Sequence, residues 1–161
     1  MQAHINTLSK NLKPSYWLGF FKKLTMNYTG KQKFEIQHDT CYGEMTVEID
    51  FDAKFQLHPK NPEIYSTMDV IKMQVEFWAY WEENLEEFDN DYVRAFLASL
   101  AKEAFRVGLY NDWNTYGIVR YFNDRETEGW FNMDGTHGVK ITYFSNLEFS
   151  NDDITITCSN M

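Results

Sequence analysis

Glu44-Met45-Thr46-Val47-Glu48-Ile49-Asp50-Phe51-Asp52 alternates polar and apolar side chains without interruption. A period of two marks a strand with one buried face, because successive side chains leave a pleated backbone on opposite sides. Met45, Val47, Ile49 and Phe51 therefore predict a core face, and Glu44, Glu48, Asp50 and Asp52 an acidic outer face. Just upstream, Lys33 to Gln37 also alternates, and Asp39 to Gly43 is a turn cluster. The two strands are expected to form a hairpin.

Working outward, His58-Pro59-Lys60-Asn61-Pro62 reads as a loop, since each proline lacks an amide and biases its predecessor to extended geometry. Ser66 or Thr67 can cap a following helix with Val70, Phe77, Trp78, Trp81, Leu85 and Phe88 as its apolar stripe. A second helix is expected to begin near Asp89–Asp91, to bury Val93, Phe96, Leu97, Leu100, Ala101, Ala104 and Val107, and to end at Gly108. After a turn around Asn111–Asn114, Gly117 to Phe122 reads as a strand. Asn123 to Gly138 reads as a long polar loop with three glycines, and Val139–Phe144 and Asp153–Cys158 as strands. The order β-β-α-α-β-β-β predicts an α+β fold, an antiparallel sheet with a helix pair packed on one face.

Residues 1–30 read as an N-terminal amphipathic appendage to a single domain spanning 31–161. Ser15 can cap a helix to about Asn27, after the break at Pro14. Trp17, Phe20, Phe21, Leu24 and Tyr28 recur at helical spacing opposite Lys22 and Lys23. Such a helix either packs on the domain core or serves as a basic amphipathic docking element.

A chain of 161 residues with 43% apolar content suffices for one domain with its own core. The net charge of −9 repels nucleic acid, whose binding draws on lysine and arginine, and favours basic partners. The charge is uneven: before Glu35 the only charged side chains are Lys10, Lys13, Lys22, Lys23, Lys31 and Lys33. Cys41 and Cys158 form no CxxC pair and are too few for a disulfide framework. No apolar run approaches the roughly 20 residues that a bilayer requires, and there is no basic n-region. These features predict a cytoplasmic protein without membrane attachment.

Three groups of residues could carry chemistry or binding. The first is the acidic run Glu82, Glu83, Glu86, Glu87, Asp89 and Asp91, a negative patch suited to a basic surface. The second is the strand row Glu44, Glu48, Asp50 and Asp52, whose same-face spacing of roughly 6.6–7 Å is near that of successive phosphates. The third is the loop Glu128 to Gly138, where Asp134 and His137 are weak metal-ligand candidates. Two ligands fall short of a site, and the Asp-Gly and His-Gly pairs also read as turn chemistry. Asp124, Glu126, Asp152 and Asp153 could join Asp134 only if the fold converges them. Trp130 could be an exposed aromatic anchor or could pin the loop to the core. No nucleophile elbow or phosphate loop is present, so no catalytic residue and no cofactor are expected.

The runs Asn114-Thr115-Tyr116-Gly117-Ile118-Val119, Glu128-Gly129-Trp130, Met133-Asp134-Gly135-Thr136-His137-Gly138-Val139-Lys140-Ile141 and Asp152-Asp153-Ile154-Thr155-Ile156 resemble a small family of unknown function from bacteria and their mobile elements. The resemblance is best over 114–156, and it implies a mobile-element accessory protein. Combined with size and charge, it leads to the expectation of a non-enzymatic inhibitor of a host defence system, of the anti-CRISPR or anti-restriction kind. Such a protein would occlude the basic nucleic-acid-binding surface of a host protein or nucleoprotein complex. Two other readings stand beside it. One is a homodimeric interaction module built on a sheet edge or on the aromatic N-terminal helix. The other is a small metal- or nucleotide-dependent enzyme using the Asp134/His137 loop.

Overall fold

The structure, a computed structural model, describes residues 27–38, 43–124 and 129–145. The proposed helix over 15–27, all but its last residue, and the proposed strand Asp153–Cys158 lie outside them.

The alternating stretch forms β2 (Glu44–Asp50), the middle strand of a three-stranded antiparallel sheet. On one side it pairs with β1 (Lys31–Gln37), register Phe34 to Val47, which is the expected hairpin. On the other side it pairs with β5 (Val139–Ser145), with a bulge between Thr46 and Val47. Met45, Val47, Ile49, Val139, Ile141 and Phe144 turn inward and are buried. Two short strands, β3 (Lys54–Phe55) and β4 (Tyr65–Ser66), close the proline-containing loop between them.

Ser66 caps α1 (Thr67–Phe77): its hydroxyl accepts from Asp69 N–H, and the Asp69 carboxylate accepts from Ser66 N–H at 2.8 Å. The helix expected to run on to Phe88 instead stops at Trp78, where the backbone turns extended. It restarts as α2 (Trp81–Glu87) after Tyr80, which adopts a left-handed φ of 64°. The break has a packing cause. On α1 the buried face is Thr67, Val70, Ile71, Gln74 and Val75, which leaves Phe77 and Trp78 out of the core. Restarting lets Leu85 of α2 turn inward.

α3 (Tyr92–Asn111) is the central helix, capped by Asp91 as the carboxylate-rich junction predicts. Its Phe96, Leu100, Ala101 and Ala104 are wholly buried. It passes through Gly108 and ends at Asp112 in the left-handed region, so Gly108 is a packing residue and not the terminator. The stretch from Gly117 to Phe122, expected as a strand, is helical: α4 (Thr115–Asn123). The Asn114 side chain accepts from Gly117 N–H at 3.1 Å, and Ile118 and Phe122, four apart, are both buried. Cap and spacing together outweigh the strand preference of Ile118, Val119 and Tyr121. The fold is α+β, an antiparallel sheet with helices, and four helices replace the expected pair among the described residues. No helix of the described residues is long and apolar enough to cross a membrane.

Candidate functional site

The outer face of the sheet does not present a pure row of carboxylates. Register sets Glu48 opposite Lys33 of β1 and Lys140 of β5, and Asp50 opposite Lys31. Lys31 reaches Asp50 at 3.7 Å, and Lys33 reaches Glu35 at 2.8 Å. Glu35, and further off Glu48, hold the Lys33 ammonium protonated above its usual range. Gln37 donates to Glu44 at 3.3 Å, and Asp52 turns away beyond the strand end, its N–H donating to Asp50. Within the strand row, Asp50 is thus paired with Lys31 and Glu48 stands in register between Lys33 and Lys140, while Glu44 meets only the neutral amide of Gln37.

The acidic run divides. Asp91 belongs to the fold: one oxygen accepts from Val93 and Arg94 N–H, at 3.0 and 3.1 Å, and the other from the Tyr28 hydroxyl at 2.6 Å. Asp89 pairs with Arg94 at 3.6 Å. Glu82, Glu83, Glu86 and Glu87 on α2 are exposed, and their side chains make no hydrogen bond or ion pair with any described residue. Glu82 and Glu83 lie in the first turn of a separate helix, where the dipole favours them, and not at the end of a long one. The four carboxylates form a solvated ridge.

The Asp134/His137 loop is a turn. Asp134 accepts from the backbone and hydroxyl of Thr136, at 2.9 and 2.6 Å, and from Asn123 Nδ2 at 3.0 Å. Burial pushes its carboxyl up, but these Thr136 hydrogen bonds and the nearby His137 hold it below the usual range. The His137 ring sits edge-on to Phe55 and Phe131, centroids 5.1 and 5.9 Å away, with its buried Nδ1 unbonded. Burial pushes the imidazole down, against a smaller upward pull from Asp134. Asp124 is exposed, while Glu126, Asp152 and Asp153 lie outside the described residues. Among the described residues no three His, Cys, Asp or Glu side chains converge as a metal site.

One surface was not legible from the sequence. An open cleft of about 250 Å³ lies between the outer side of α1 and the segment at Gly129. Leu57, Met73, Phe77, Trp130 and Phe131 line it, and Trp78 flanks it, 6.0 Å from Trp130 between centroids. Phe77 is 55% exposed, Met73 42% and Trp78 39%. The floor requires glycine: Gly129 has φ +83°, and a Cβ there would lie 2.6 Å from the Phe77 ring. Buried Gln74 donates its side-chain amide to Gly129 O and ties the floor to α1. Trp130 also packs edge-on to Phe122 at 5.1 Å, so it is both a core contact and a wall. Phe77 and Trp78, assigned above to a core stripe, are exposed at this cleft. Of the other aromatic candidates, Trp17, Phe20 and Phe21 lie outside the described residues.

The chain is similar to known proteins over most of this region. A family described as "Protein of unknown function (DUF2528)" matches residues 63–156. Protein ea10 of Escherichia phage lambda is 32% identical over 112 residues, covering 67% of this chain and 91% of ea10. The lambda prophage-derived protein ea10 of Escherichia coli O6:H1 matches with the same identity and coverage. No solved structure matches.

Proposed function

Because this chain belongs to the DUF2528 family and has relatives carried by phage lambda and a lambda prophage, we propose that it is a phage accessory protein that acts by binding another protein. The partner is a basic, nucleic-acid-binding protein of the bacterial host, of the kind used in restriction or CRISPR defence. Binding occludes the surface on which nucleic acid would lie. The observation that carries this reading is the α2 ridge: Glu82, Glu83, Glu86 and Glu87 exposed and without a neutralising partner among the described residues. Solvated carboxylates contribute little to folding but steer a basic surface toward them from a distance. The reading gives the strand row no part, since Asp50 is paired with Lys31 and Glu48 stands opposite Lys33 and Lys140 in the sheet register.

The test is capture from a defence-competent host with the tagged full chain, followed by mass spectrometry of what is bound. The expected result is a basic nucleic-acid-binding protein, retained at about 50 mM salt, released at about 500 mM, and displaced by competing DNA. Capture indifferent to salt and to competing DNA would overturn the proposal.

A further inference from the structure

We propose that the outer edge of β1 is a self-association surface, where two copies of this chain join antiparallel, edge to edge, into one continuous sheet. The inference does not rest on the partner proposed above.

Backbone phase identifies the edge. Phe51 N–H donates to Gly30 O, and His38 N–H donates to Gly43 O, both at 2.9 Å. Both pairs continue the β1–β2 register, in which Phe34 lies opposite Val47. Antiparallel ladders alternate hydrogen-bonded and non-bonded pairs, so Gln32, Phe34 and Ile36 direct their N–H and C=O groups at β2. Those of Lys31, Lys33, Glu35 and Gln37 point away from β2, and no described residue meets them. The opposite edge of the sheet is closed. Ile141 N–H donates to Met133 O at 3.0 Å, Gly135 N–H to Val139 O at 2.9 Å, and Phe144 N–H to Thr115 Oγ1 at 2.9 Å. Among the described residues β1 is thus the open edge of the three-stranded sheet. An open row of donors and acceptors is a template for another strand.

Charge and register select a second β1 as the strand that fits. Lysine on an edge ordinarily discourages addition, but this edge is complementary to itself. With a two-fold axis at Phe34, Lys33 stands opposite Glu35 of the second copy, Glu35 opposite its Lys33, and Lys31 opposite its Gln37. Every outward residue then sits in a hydrogen-bonded pair, and no like charges face each other. The smallest slip that keeps the backbone phase is two residues. It sets Lys33 against Lys33 in one direction and Glu35 against Glu35 in the other. The matched charges fix the register, while the backbone ladder supplies the attachment, since exposed ion pairs contribute little. Lys33 and Glu35 already meet within the strand at 2.8 Å, both exposed, so neither leaves a buried site to serve the second copy. An axis perpendicular to the sheet keeps the helices of both copies on one face of the joined sheet.

Residue-resolved amide exchange of the full chain at rising protein concentration, with no partner present, tests the association. The amides of Lys31, Lys33, Glu35 and Gln37 should slow about tenfold or more as concentration rises, while those of Gln32, Phe34 and Ile36 are slow throughout. In sedimentation equilibrium, Lys33→Glu alone or Glu35→Lys alone should weaken the dimer about tenfold. An equimolar mixture of the two variants should restore it, because one edge is then acidic and the other basic. Glu35→Pro removes an outward N–H, leaves the β1–β2 ladder its own bonds, and should also weaken the dimer. Three results would overturn the proposal. One is fast exchange of the outward amides at every concentration. Another is slow exchange at every concentration, which would make another part of the same chain the occupant. The third is a dimer indifferent to all three substitutions. Because no partner is present, failure here leaves the partner proposal standing, and failure of capture leaves the association standing.

Discussion

The Tyr28 hydroxyl donates to the Asp91 carboxylate at 2.6 Å, across 63 positions of sequence. The same carboxylate caps α3 through Val93 and Arg94 N–H. One side chain thus starts the central helix and anchors the segment leading into β1. This use explains why Asp91 stands apart from the other acids in its run: its oxygens are committed to the fold.

Tyr28→Phe should cost about 1 kcal/mol, and Asp91→Ala about 2 kcal/mol because the cap is lost as well. Burial, reinforced by the Asp91 bond and charge, raises the Tyr28 hydroxyl well above its ordinary 10.0, with Arg94 opposing. The folded state holds that proton more tightly than the unfolded chain does. The contribution is complete below pH 10 and is lost as pH climbs through the folded value. Urea titrations in that alkaline range should show a steeper decline for wild type than for Tyr28→Phe.

Gly138→Ala should be among the most damaging single changes in the described fold. Gly138 has φ +78°, and a Cβ there would fall 2.0 Å from Thr67 Oγ1 and 3.0 Å from Asp50 O. Those atoms form a knot: Thr67 donates to Asp50 O at 2.6 Å, and Asp50 N–H donates to Gly138 O at 2.8 Å. The substitution strains the backbone and forces apart α1, β2 and the start of β5. A loss of about 3 kcal/mol or more is expected in chemical denaturation. Gly135→Ala is a useful contrast, since a Cβ there meets only Lys140 at ordinary distance, leaving the strain of φ +100° alone.

His137 should give the fold a mild sensitivity to acid. Burial lowers its pKa from the ordinary 6.5, so the unfolded chain takes up the proton more readily than the folded one. Stability from this group is complete above pH 6.5 and falls as pH drops from there through the folded value. The Asp134 carboxyl, also lowered, acts only further down, below its ordinary 3.8. Melting temperatures at about pH 7.5 and about pH 5.5 should differ less in His137→Phe than in wild type. Equal slopes in the two proteins would remove His137 from this role.

Asn123 joins the end of α4 to the loop before β5. Its Oδ1 accepts from Met133 N–H at 2.8 Å, and its Nδ2 donates to Asp134 at 3.0 Å. Asn123→Ala leaves a half-buried amide unsatisfied beside fully buried Met133 and should cost about 2 kcal/mol. Asn123→Asp keeps the acceptor but sets a second carboxylate against Asp134, so its defect should shrink in high salt, as denaturation midpoints would show.

Local pattern made much of this legible, and its range explains the rest. The period-two run at 44–52 marks β2 and its inner face, and the choice of Ser66 or Thr67 and the cluster Asp89–Asp91 bracket the starts of α1 and α3. Where two local signals compete, the pattern misleads. Ile118, Val119 and Tyr121 favour a strand, and only the Asn114 cap and the Ile118/Phe122 spacing reveal a helix. Relationships that depend on pairing are invisible locally. Lys140 stands opposite Glu48 only because β5 lies beside β2. The aromatic cleft needs Gly129 to meet Phe77, 52 positions apart, and nothing near Phe77 in sequence tells a core ring from a surface one.

The α2 ridge offers a way to separate binding from folding. Glu86 and Glu87 occupy the last turn, where the helix dipole disfavours negative charge, and neither has a described partner to lose. Glu86→Lys with Glu87→Lys should therefore leave stability unchanged or raise it by about 0.5 kcal/mol. The same pair should abolish capture of a basic partner, because two reversals turn local attraction into repulsion. Glu48→Gln is the informative control. It removes a charge already opposed by Lys33 and Lys140, so capture should persist. If the reversed ridge still captured the partner while Glu48→Gln did not, recognition would belong to the sheet face, and the assignment to α2 would be wrong.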